Sequence, residues 1–227
     1  MKLPRPPAAV IFDMDGLLFD TERLYGEAIL SAASEVGCAM SRDVFHQLVG
    51  RSREVNHRFL LEYYGADYPL EALIAAWGRH FEVRAAAGLP LKPGAVELLD
   101  LLDELRLPRA IATSSSHARV RRNLVSHGLT ERFHSVVAHG DYANGKPAPD
   151  PFLKAAERLG VAPELCLALE DSHNGIRSAS TAGMMTIMVP DLVPPTDEIH
   201  GLCTHVAADL HDVHRLVDAG RPRSGLV

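Results

Sequence analysis

The sequence predicts an α/β protein in which a mostly parallel sheet is flanked by helices and interrupted by an all-helical insertion. Three observations predict this fold class. Short, continuous apolar runs recur along the 227 residues, and helical patterns with clear start and stop signals separate most of them. One long segment near the N-terminus has helical periodicity and no good strand. Nearly half of the residues are apolar, which is enough for a sizeable buried core.

The predicted strands are six apolar runs of strand length. None of them alternates strictly between apolar and polar residues, as is typical of strands buried on both faces of a parallel sheet. The runs are AAVIF (8–12), RAIAT (109–113), SVVA (135–138), CLALE (166–170), MTIMV (185–189) and HVAA (205–208). The alternation of these strands with helices indicates parallel pairing.

Two of the intervening helices have readable ends. In DPFLKAAERLG we expect Asp150 to be the N-cap, the proline after it to occupy the first helical position, and Gly160 to end the helix. SHNGIRSASTAG opens with Ser172 and closes with Gly183 in the same way. Both helices therefore connect successive strands of the predicted sheet.

The inserted segment runs from about residue 21 to residue 88. It is helical throughout and too long for a single crossover helix, so we expect a separate helical subdomain, called the cap below. The chain leaves for it after the first strand and returns at GLPLKPG, where glycines and prolines suit a hinge. The predicted domains are a core of residues 1–20 and 89–227 and a cap of residues 21–88.

Composition narrows the range of partners. The formal net charge of −6 argues against nucleic acid or an anionic membrane surface, but it does not exclude an anionic small molecule. Cys38, Cys166 and Cys203 have no paired spacing, which favours a reduced, cytoplasmic protein. The N-terminus lacks the apolar core of a signal peptide, and no stretch suits a membrane span, so we expect no membrane association. We expect a monomer or a weak dimer.

Asp13 and Asp15 form an acidic pair directly after the first predicted strand. Ligands of parallel α/β sheets bind at the carboxyl ends of the strands, so the Asp13 carboxylate is expected to point into that crevice. By itself the D-x-D pattern is weak evidence. Sugar-nucleotide transferases also use it, and an ordinary turn containing Gly16 would explain it equally well.

Two further strand ends carry residues that suit a phosphate group. The second predicted strand runs into Thr113, Ser114 and Ser115, whose hydroxyls and backbone N–H groups near a helix start are candidates for phosphate binding. After the third strand, GKPAPD holds Lys146 between a glycine and a proline, and neighbouring prolines restrict its backbone. Strings of serine are common helix caps, and surface lysines are normally solvated, so each signal is weak alone.

A second acidic pair, Glu170 and Asp171, ends the fourth predicted strand. Two acidic pairs at strand ends would repel each other strongly unless a cation lies between them. A hard ion that binds oxygen ligands, keeps several waters and bridges to a substrate phosphate fits this chemistry, and Mg²⁺ is such an ion. The sequence therefore predicts Mg²⁺ as the cofactor and a small phosphate ester as the partner.

The order of these motifs resembles the haloacid dehalogenase-like superfamily. The resemblance is carried by FDMDGLLFDTE, GKPAPDPF and LEDSHNGIRSASTAG, together with a helical insertion after the first strand, and it covers essentially the whole chain. It is strongest to the branch that contains β-phosphoglucomutase and small phosphatases acting on sugar phosphates or pseudouridine 5′-phosphate. The resemblance implies a Rossmann-like core, a helical cap and phosphoryl-transfer chemistry.

The resemblance also implies roles for the catalytic residues. Asp13 would attack phosphorus and form an aspartyl-phosphate. Asp15 would protonate the leaving alcohol and then take a proton from the attacking water. Thr113 and the amide of Ser114 would hold the phosphoryl oxygens. Lys146 would neutralise charge on the nucleophile and the phosphoryl group.

The metal ligands implied by the resemblance come from both acidic pairs. The Asp13 carboxylate and the backbone carbonyl of Asp15 would bind Mg²⁺ from one side, and Asp171 with Glu170 would complete the site. Gly16 would let the chain turn sharply beside the ligand. All of these residues lie at predicted strand ends.

The resemblance leaves a choice between a phosphatase and a mutase. GRSREVN (50–56) resembles the G-x-S-R pattern of the mutases and supplies Arg51 and Arg53 as candidates for binding substrate, although a solvated helix start would also explain them. Tyr25 stands in the first cap helix where those mutases carry a histidine that works with the acid/base aspartate. This departure favours the phosphatase, with Tyr25 as a further candidate substrate contact.

Two other functions fit less well. Haloalkanoic acid dehalogenases share the fold implied by the resemblance, but they need no metal and lack the second acid of the D-x-D motif, so Asp15 and the second acidic pair count against that reaction. An inactive protein that only binds a phosphorylated metabolite would be expected to have lost a charged group, and none is missing here. The predicted function is a Mg²⁺-dependent phosphatase, with a phosphosugar mutase as the alternative.

Overall fold

The computed structural model describes residues 2–48, 53–86 and 88–221. The chain divides into two compact units. The core unit comprises Met1–Phe19 and Leu91–Val227, and the cap unit comprises Asp20–Pro90. Among the described residues, none of the helices combines the length and the apolar character that crossing a bilayer requires.

The core unit contains one sheet of parallel strands. Its members are β1 (Ala9–Phe12), β2 (Arg109–Ala112), β3 (Ser135–Val137), β4 (Cys166–Glu170), β5 (Met185–Met188) and β6 (His205–Val206). Their order across the sheet is β3-β2-β1-β4-β5-β6, and every neighbouring pair is parallel. The predicted fold class is therefore confirmed. The run predicted at 205–208 forms a strand of two residues only, which lies at the edge of the sheet.

Burial explains why the predicted strands lack alternation. Every residue of β1, β2, β4 and β5 is buried, so both faces of the sheet are covered along these strands. On one side, Phe152 and small residues such as Ala155 pack against Ile11 and Ala168 of the sheet. A side chain on either face of these strands meets protein, so the same apolar residue types suit consecutive positions.

Helices of the core unit follow the strands. They are α5 (Ala95–Glu104), α6 (His117–Ser126), α7 (Asp150–Leu159), α8 (His173–Thr181), α9 (Asp197–Leu202) and α10 (Leu210–Asp218). Ser172 caps α8 as predicted, because its hydroxyl accepts a hydrogen bond from the Gly175 amide. The prediction that Asp150 caps α7 is wrong: the helix begins at Asp150 itself, and the carboxylate accepts hydrogen bonds from Asn144. Gly160 ends α7 with a φ of 66°, as predicted.

The chain makes a tight turn between β1 and the cap unit. The amides of Leu18 and Phe19 both donate to the Met14 carbonyl, and the Gly16 amide donates to the Phe19 carbonyl. Phe19 then pairs with Leu91, so the outgoing and returning segments lie side by side in the core unit. This turn keeps Asp13 and Asp15 at the end of β1, and the chain enters the cap unit only at Asp20.

The cap unit consists of helices in its described part. These are α1 (Thr21–Glu35), α2 (Arg42–Leu48), α3 (Arg53–Tyr64) and α4 (Leu70–Ala86). Ile29 and Ala33 of α1 belong to one apolar cluster with Phe45, Leu60 and Leu73 from the other three helices. The cap unit therefore has a hydrophobic core of its own.

A network of hydrogen bonds around Asp141 holds the loop after β3, which leads to Lys146. Asp141 Oδ2 accepts hydrogen bonds from the Ala138 amide at 3.0 Å and from Arg158 Nη1 at 3.1 Å, and it lies 2.9 Å from His117 Nε2. The hydrogen bond from Arg158 holds the pKa of Asp141 below its ordinary value of 3.8, against the opposing effect of burial, and the Ala138 amide and His117 act in the same direction.

Asp141→Asn is expected to lower the free energy of unfolding by about 1–2 kcal/mol at pH 7, towards the lower end for hydrogen bonds to a charged group because Arg158 is partly exposed. A depressed pKa stabilises the folded state above the ordinary pKa, and this stabilisation is lost as pH falls through the folded value. The difference between wild type and variant in urea unfolding should therefore be constant near neutrality and shrink below pH 3.8. Glu198→Gln, which breaks the exposed pair with Arg177, is the control and should have a smaller effect.

Candidate active site

The strand register brings the predicted acids together. Phe12, the last residue of β1, pairs with Ile111 of β2 and with Leu169 of β4. The next residue along β1 is Asp13, and the next along β4 is Glu170. Asp13 therefore lies at the carboxyl edge of the sheet beside Glu170, where a parallel sheet binds its ligands.

Lys146 lies between these two carboxylates. Its Nζ donates hydrogen bonds to Asp13 Oδ1 at 2.5 Å, to Glu170 Oε1 at 2.5 Å and to the Ala112 carbonyl at 3.0 Å. Only 8% of the Lys146 side chain is exposed, and the Phe152 ring lies below the ammonium at 5.1 Å. All three donor positions of the ammonium are used inside the protein, so Lys146 is a component of the site and not a solvated surface lysine.

Burial and neighbouring charges shift the pKa values of Asp13 and Lys146 in opposite directions. Burial raises the pKa of Asp13 above the ordinary carboxyl value, although the charge of Lys146 opposes the shift. Burial alone would lower the pKa of Lys146, but the charges of Asp13 and Glu170 outweigh it and raise that pKa. Lys146 thus stays protonated and supplies one positive charge against two buried carboxylates.

Both carboxylate oxygens of Glu170 accept hydrogen bonds. One oxygen accepts from Lys146, and the other, Oε2, accepts from the Asp171 amide, the Ser172 amide and the Ser172 hydroxyl at 3.0–3.1 Å. The two amides belong to the residues that lead into α8, where N–H groups have no intrahelical partner and favour an anion. Glu170 is consequently fixed, and it fixes Lys146 in turn.

Gly175 makes room for Glu170. A Cβ placed on Gly175 would lie 1.8 Å from the Glu170 carboxyl carbon and 1.9 and 2.1 Å from its two oxygens. Any side chain at this position of α8 would displace the carboxylate. Sequence reasoning missed this residue because a glycine inside a helical pattern carries no information about what it touches.

Gly175→Ala is expected to displace Glu170 and, through it, Lys146, lowering turnover by roughly ten- to a hundredfold, as a misplacement of about 1 Å can. The strain should also lower the free energy of unfolding by about 1–3 kcal/mol. Gly201→Ala in α9 is the matched control, because a Cβ there meets nothing within 4 Å. Helix propensity should make that control neutral or slightly more stable. Equal stability and turnover in both variants would show that Glu170 tolerates the displacement.

The oxygens of Asp13, Glu170 and Asp171 form a compact cluster. One carboxylate oxygen from each lies within 4.8 Å of the others, as a shared cation requires. Gly16, with a φ of +82°, keeps the backbone close to this cluster: a Cβ on Gly16 would lie 2.3 Å from Asp171 Oδ2. The donors are hard carboxylate oxygens, which suit Mg²⁺ and not a soft metal.

Asp15 is held by two residues near the start of α6. The Ser115 hydroxyl donates to Asp15 Oδ2 at 2.6 Å, and Arg119 Nη2 lies 3.1 Å from Asp15 Oδ1. Ser115, predicted as a phosphate contact, is therefore bonded to Asp15 in this structure. Sequence reasoning missed Arg119 because ARVRRN carries three arginines, a pattern that is normally a solvated helix face.

The other residues predicted after β2 lie in different environments. Thr113 is buried, and its hydroxyl accepts a hydrogen bond from the Ser115 amide at 3.1 Å. The Thr113 carbonyl accepts from the hydroxyl of Tyr142, which packs against the core and was not predicted. Ser114 is exposed. Thr113 and Ser114 remain predicted phosphate contacts.

Of the three predicted cap residues, the structure describes the side chain of Tyr25, which belongs to an aromatic cluster within the cap unit. The Tyr25 ring stacks on Phe81 with centroids 4.2 Å apart and meets the edge of Trp77, whose indole N–H donates to the Tyr25 carbonyl. All three residues line a cavity of about 620 Å³ within the cap unit. Arg51 and the side chain of Arg53 lie outside the described residues, so their roles and that of Tyr25 stay predictions.

Comparison with known proteins identifies the relatives of this chain. A family model for haloacid dehalogenase-like hydrolases matches residues 7–183. The chain is 38% identical over 196 residues to the Drosophila melanogaster protein named "Probable pseudouridine-5'-phosphatase", covering 84% of each. It is 33% identical over 189 residues to the β-phosphoglucomutase of Bacillus subtilis, covering 80% of this chain and 82% of that protein. A crystal structure of a candidate β-phosphoglucomutase from Thermotoga maritima superposes with a TM-score of 0.77 at 27% identity, covering 93% and 97% of the two chains.

Proposed function

The chain belongs to the haloacid dehalogenase-like hydrolase family, and we propose that it is a Mg²⁺-dependent phosphatase that hydrolyses a small phosphorylated metabolite through a phosphoryl-aspartate at Asp13. Phosphatase activity toward small phosphorylated molecules follows from the family and from the relatives. The observation that carries the finer proposal is the position of Lys146, which lies 2.5 Å from both Asp13 and Glu170 with Asp171 beside them. A buried carboxylate with a fixed cation suits attack on an anionic phosphate ester.

In the first step a carboxylate oxygen of Asp13 attacks phosphorus, and the bond from phosphorus to the leaving oxygen breaks. Lys146 offsets the repulsion between the anionic nucleophile and the phosphoryl group, and it needs no reorganisation because its hydrogen bonds already hold it in place. Asp15 donates a proton to the leaving oxygen, which departs as an alcohol. Thr113 and the Ser114 amide would hold phosphoryl oxygens during the transfer.

In the second step water attacks the phosphoryl-aspartate. Asp15 takes the proton from the water, the bond between phosphorus and Asp13 breaks, and inorganic phosphate leaves with the Asp13 carboxylate restored. Ser115 and Arg119 hold the Asp15 carboxylate, so its position does not depend on the leaving group. That arrangement suits an enzyme that must activate water after the alcohol has departed.

The acidic cluster fits Mg²⁺. Asp13, the backbone carbonyl of Asp15, Asp171 and Glu170 would hold the ion, as the spacing of the three carboxylates allows. When bound, Mg²⁺ supplies positive charge to the phosphoryl oxygens. Glu170 also anchors Lys146, so it contributes to the site even where Asp171 carries most of the metal binding.

Removal of divalent metal is expected to abolish phosphate release, and added Mg²⁺ should restore it. The measurement is phosphate release from a panel of phosphorylated sugars and nucleotides, with and without EDTA, which also identifies the substrate class. Circular dichroism in EDTA controls for unfolding. Phosphate release at an undiminished rate in EDTA by a dialysed, folded protein would contradict the metal requirement.

A phosphosugar mutase is the second candidate, favoured by the similarity to the β-phosphoglucomutase of Bacillus subtilis. A mutase must keep its phosphoryl-enzyme until a sugar phosphate returns, so water must attack slowly. Tyr25, in place of the mutases' histidine, favours the phosphatase. The test supplies β-glucose 1-phosphate with a trace of the 1,6-bisphosphate and follows glucose 6-phosphate and free phosphate. Faster formation of glucose 6-phosphate than of free phosphate would establish the mutase.

A further inference from the structure

Asp191 lies at the same edge of the sheet as the acidic cluster. Strand β5 pairs with β4 so that Met188 is opposite Glu170, and the Val189 amide donates to the Glu170 carbonyl at 2.7 Å. Asp191 follows two residues later. The end of β5 thus delivers a further carboxylate beside the residues that end β4.

Asp191 is paired with Lys92. Lys92 Nζ donates to Asp191 Oδ1 at 2.8 Å, and the two side chains are only 19% and 11% exposed. The Lys92 amide in turn donates to the Leu18 carbonyl at 2.9 Å, in the turn that follows Asp13 and Asp15. Lys92 therefore ties the loop after β5 to the turn after β1.

The second carboxylate oxygen of Asp191, Oδ2, faces the acidic cluster of Asp13, Glu170 and Asp171. Asp191 Oδ2 is buried and has no hydrogen-bond partner among the described residues. A Cβ placed on Gly16 would lie 2.3 Å from Asp171 Oδ2 and 3.4 Å from Asp191 Oδ2, so both oxygens border the same small space beside Gly16. A buried carboxylate oxygen that lacks a donor is costly, which points to a donor that arrives with a ligand.

We propose that Asp191, held by Lys92, is a positioning residue of the Mg²⁺ site that accepts a hydrogen bond from a water bound to the ion. The inference rests on the proposed function, because it assumes Mg²⁺ at the acidic cluster. Asp191 is not one of the three carboxylates whose oxygens lie within 4.8 Å of one another, which assigns it to the outer shell. Mg²⁺ keeps several waters in protein sites, and each of them donates hydrogen bonds.

The pair with Lys92 explains how the site tolerates another acid. Lys92 neutralises the charge of Asp191 and occupies Oδ1, which leaves Oδ2 to face the cluster. The arrangement thus fixes a water on the ion without adding net negative charge to a buried site.

The experiment measures Mn²⁺ binding to the full, metal-free chain by the electron paramagnetic resonance signal of unbound Mn²⁺, at high ionic strength so that distant charges are screened. Asp191→Asn should raise the Kd for Mn²⁺ by roughly ten- to a hundredfold, the usual effect of losing an outer-shell partner. Lys92→Met loosens Asp191 but keeps the carboxylate and removes a nearby positive charge, so it should weaken Mn²⁺ binding less than Asp191→Asn does. Glu198→Gln, an exposed acid paired with Arg177, should leave the Kd unchanged.

The double variant Lys92→Met/Asp191→Asn tests whether a single variant binds weakly only because it misfolds. It removes both charges of the partly buried pair, so neither is left without its partner. It should fold in EDTA and bind Mn²⁺ as weakly as Asp191→Asn. An unchanged Kd in Asp191→Asn would overturn the inference. Equal weakening by Lys92→Met and by Asp191→Asn would also overturn it, because the ion pair would then only stabilise the two loops that it joins. Failure of wild type to bind Mn²⁺ more tightly than Asp171→Asn would instead overturn the proposed metal site itself.

Discussion

Asp13→Asn is expected to reduce phosphate release by on the order of 10⁴-fold or more, as the loss of a catalytic nucleophile does. An amide oxygen of asparagine carries no full negative charge and does not form a stable bond to phosphorus. The variant should nevertheless fold, because asparagine has the same shape and its carbonyl can still accept a hydrogen bond from Lys146. Burial of the charged Asp13 carboxylate is unfavourable, which is why its pKa is raised. Asparagine is uncharged and avoids this cost, so we expect no loss of thermal stability.

Asp15→Asn is the informative comparison for this variant. It keeps the nucleophile but loses the proton-transfer group, so a phosphoryl group should accumulate on Asp13 when the substrate has a good leaving group such as p-nitrophenol. Quenched single-turnover reactions with radiolabelled substrate should show hydroxylamine-sensitive label in Asp15→Asn and none in Asp13→Asn. Normal phosphate release by a folded Asp13→Asn protein would contradict the aspartyl-phosphate mechanism.

The parts of this molecule that could be predicted from the sequence are those set by local pattern and strand topology. The apolar run at 8–12 contains β1, and the acidic pairs at the ends of the first and fourth runs meet because β1 and β4 are parallel neighbours. Adjacency of the strands thus converts two distant motifs into one cluster. No knowledge of side-chain packing is needed for that inference.

The parts that could not be predicted depend on contacts between distant side chains. Arg119 reaches Asp15 only because α6 starts beside the turn after β1, and helical spacing cannot show which of three arginines points there. The pair of Lys92 and Asp191 joins positions far apart in the chain, and neither residue stands in a recognisable motif. Asp150 failed as a cap because Asn144 offers its carboxylate better-placed donors than the helix does.

Lys146→Met is expected to have the second large effect, because it removes the charge that lies between Asp13 and Glu170. Turnover should fall by on the order of 10³-fold, comparable with the loss of a preorganised electrostatic contact in an enclosed site. The free energy of unfolding should fall by about 3–5 kcal/mol, since two buried carboxylates lose their partner. Both effects are measured on one preparation, by phosphate release and by urea unfolding.

The stability loss has a characteristic pH dependence. Burial already raises the pKa of Asp13, and the loss of Lys146 should raise it further. A carboxyl with a raised pKa stabilises the folded state at low pH and loses that contribution as pH rises through the folded value. Wild-type Asp13 ionises only as pH rises past its folded pKa of about 8, so the part of the Lys146→Met deficit that comes from Asp13 should be constant below that pH and grow above it. Lys154→Met, which removes an exposed lysine of α7 paired with Glu157, is the control and should show neither effect.

A double variant separates the structural role of Lys146 from its chemical role. Lys146→Met/Glu170→Gln leaves Asp13 as the single carboxylate of the two that Lys146 contacts, so it should regain much of the lost stability. It should not regain turnover, because no cation then offsets the repulsion between Asp13 and the phosphoryl group. Recovery of turnover together with stability would mean that Lys146 only holds Glu170 in place. The catalytic charge would then have to come from the bound metal and from Arg119, which lies beside Asp15.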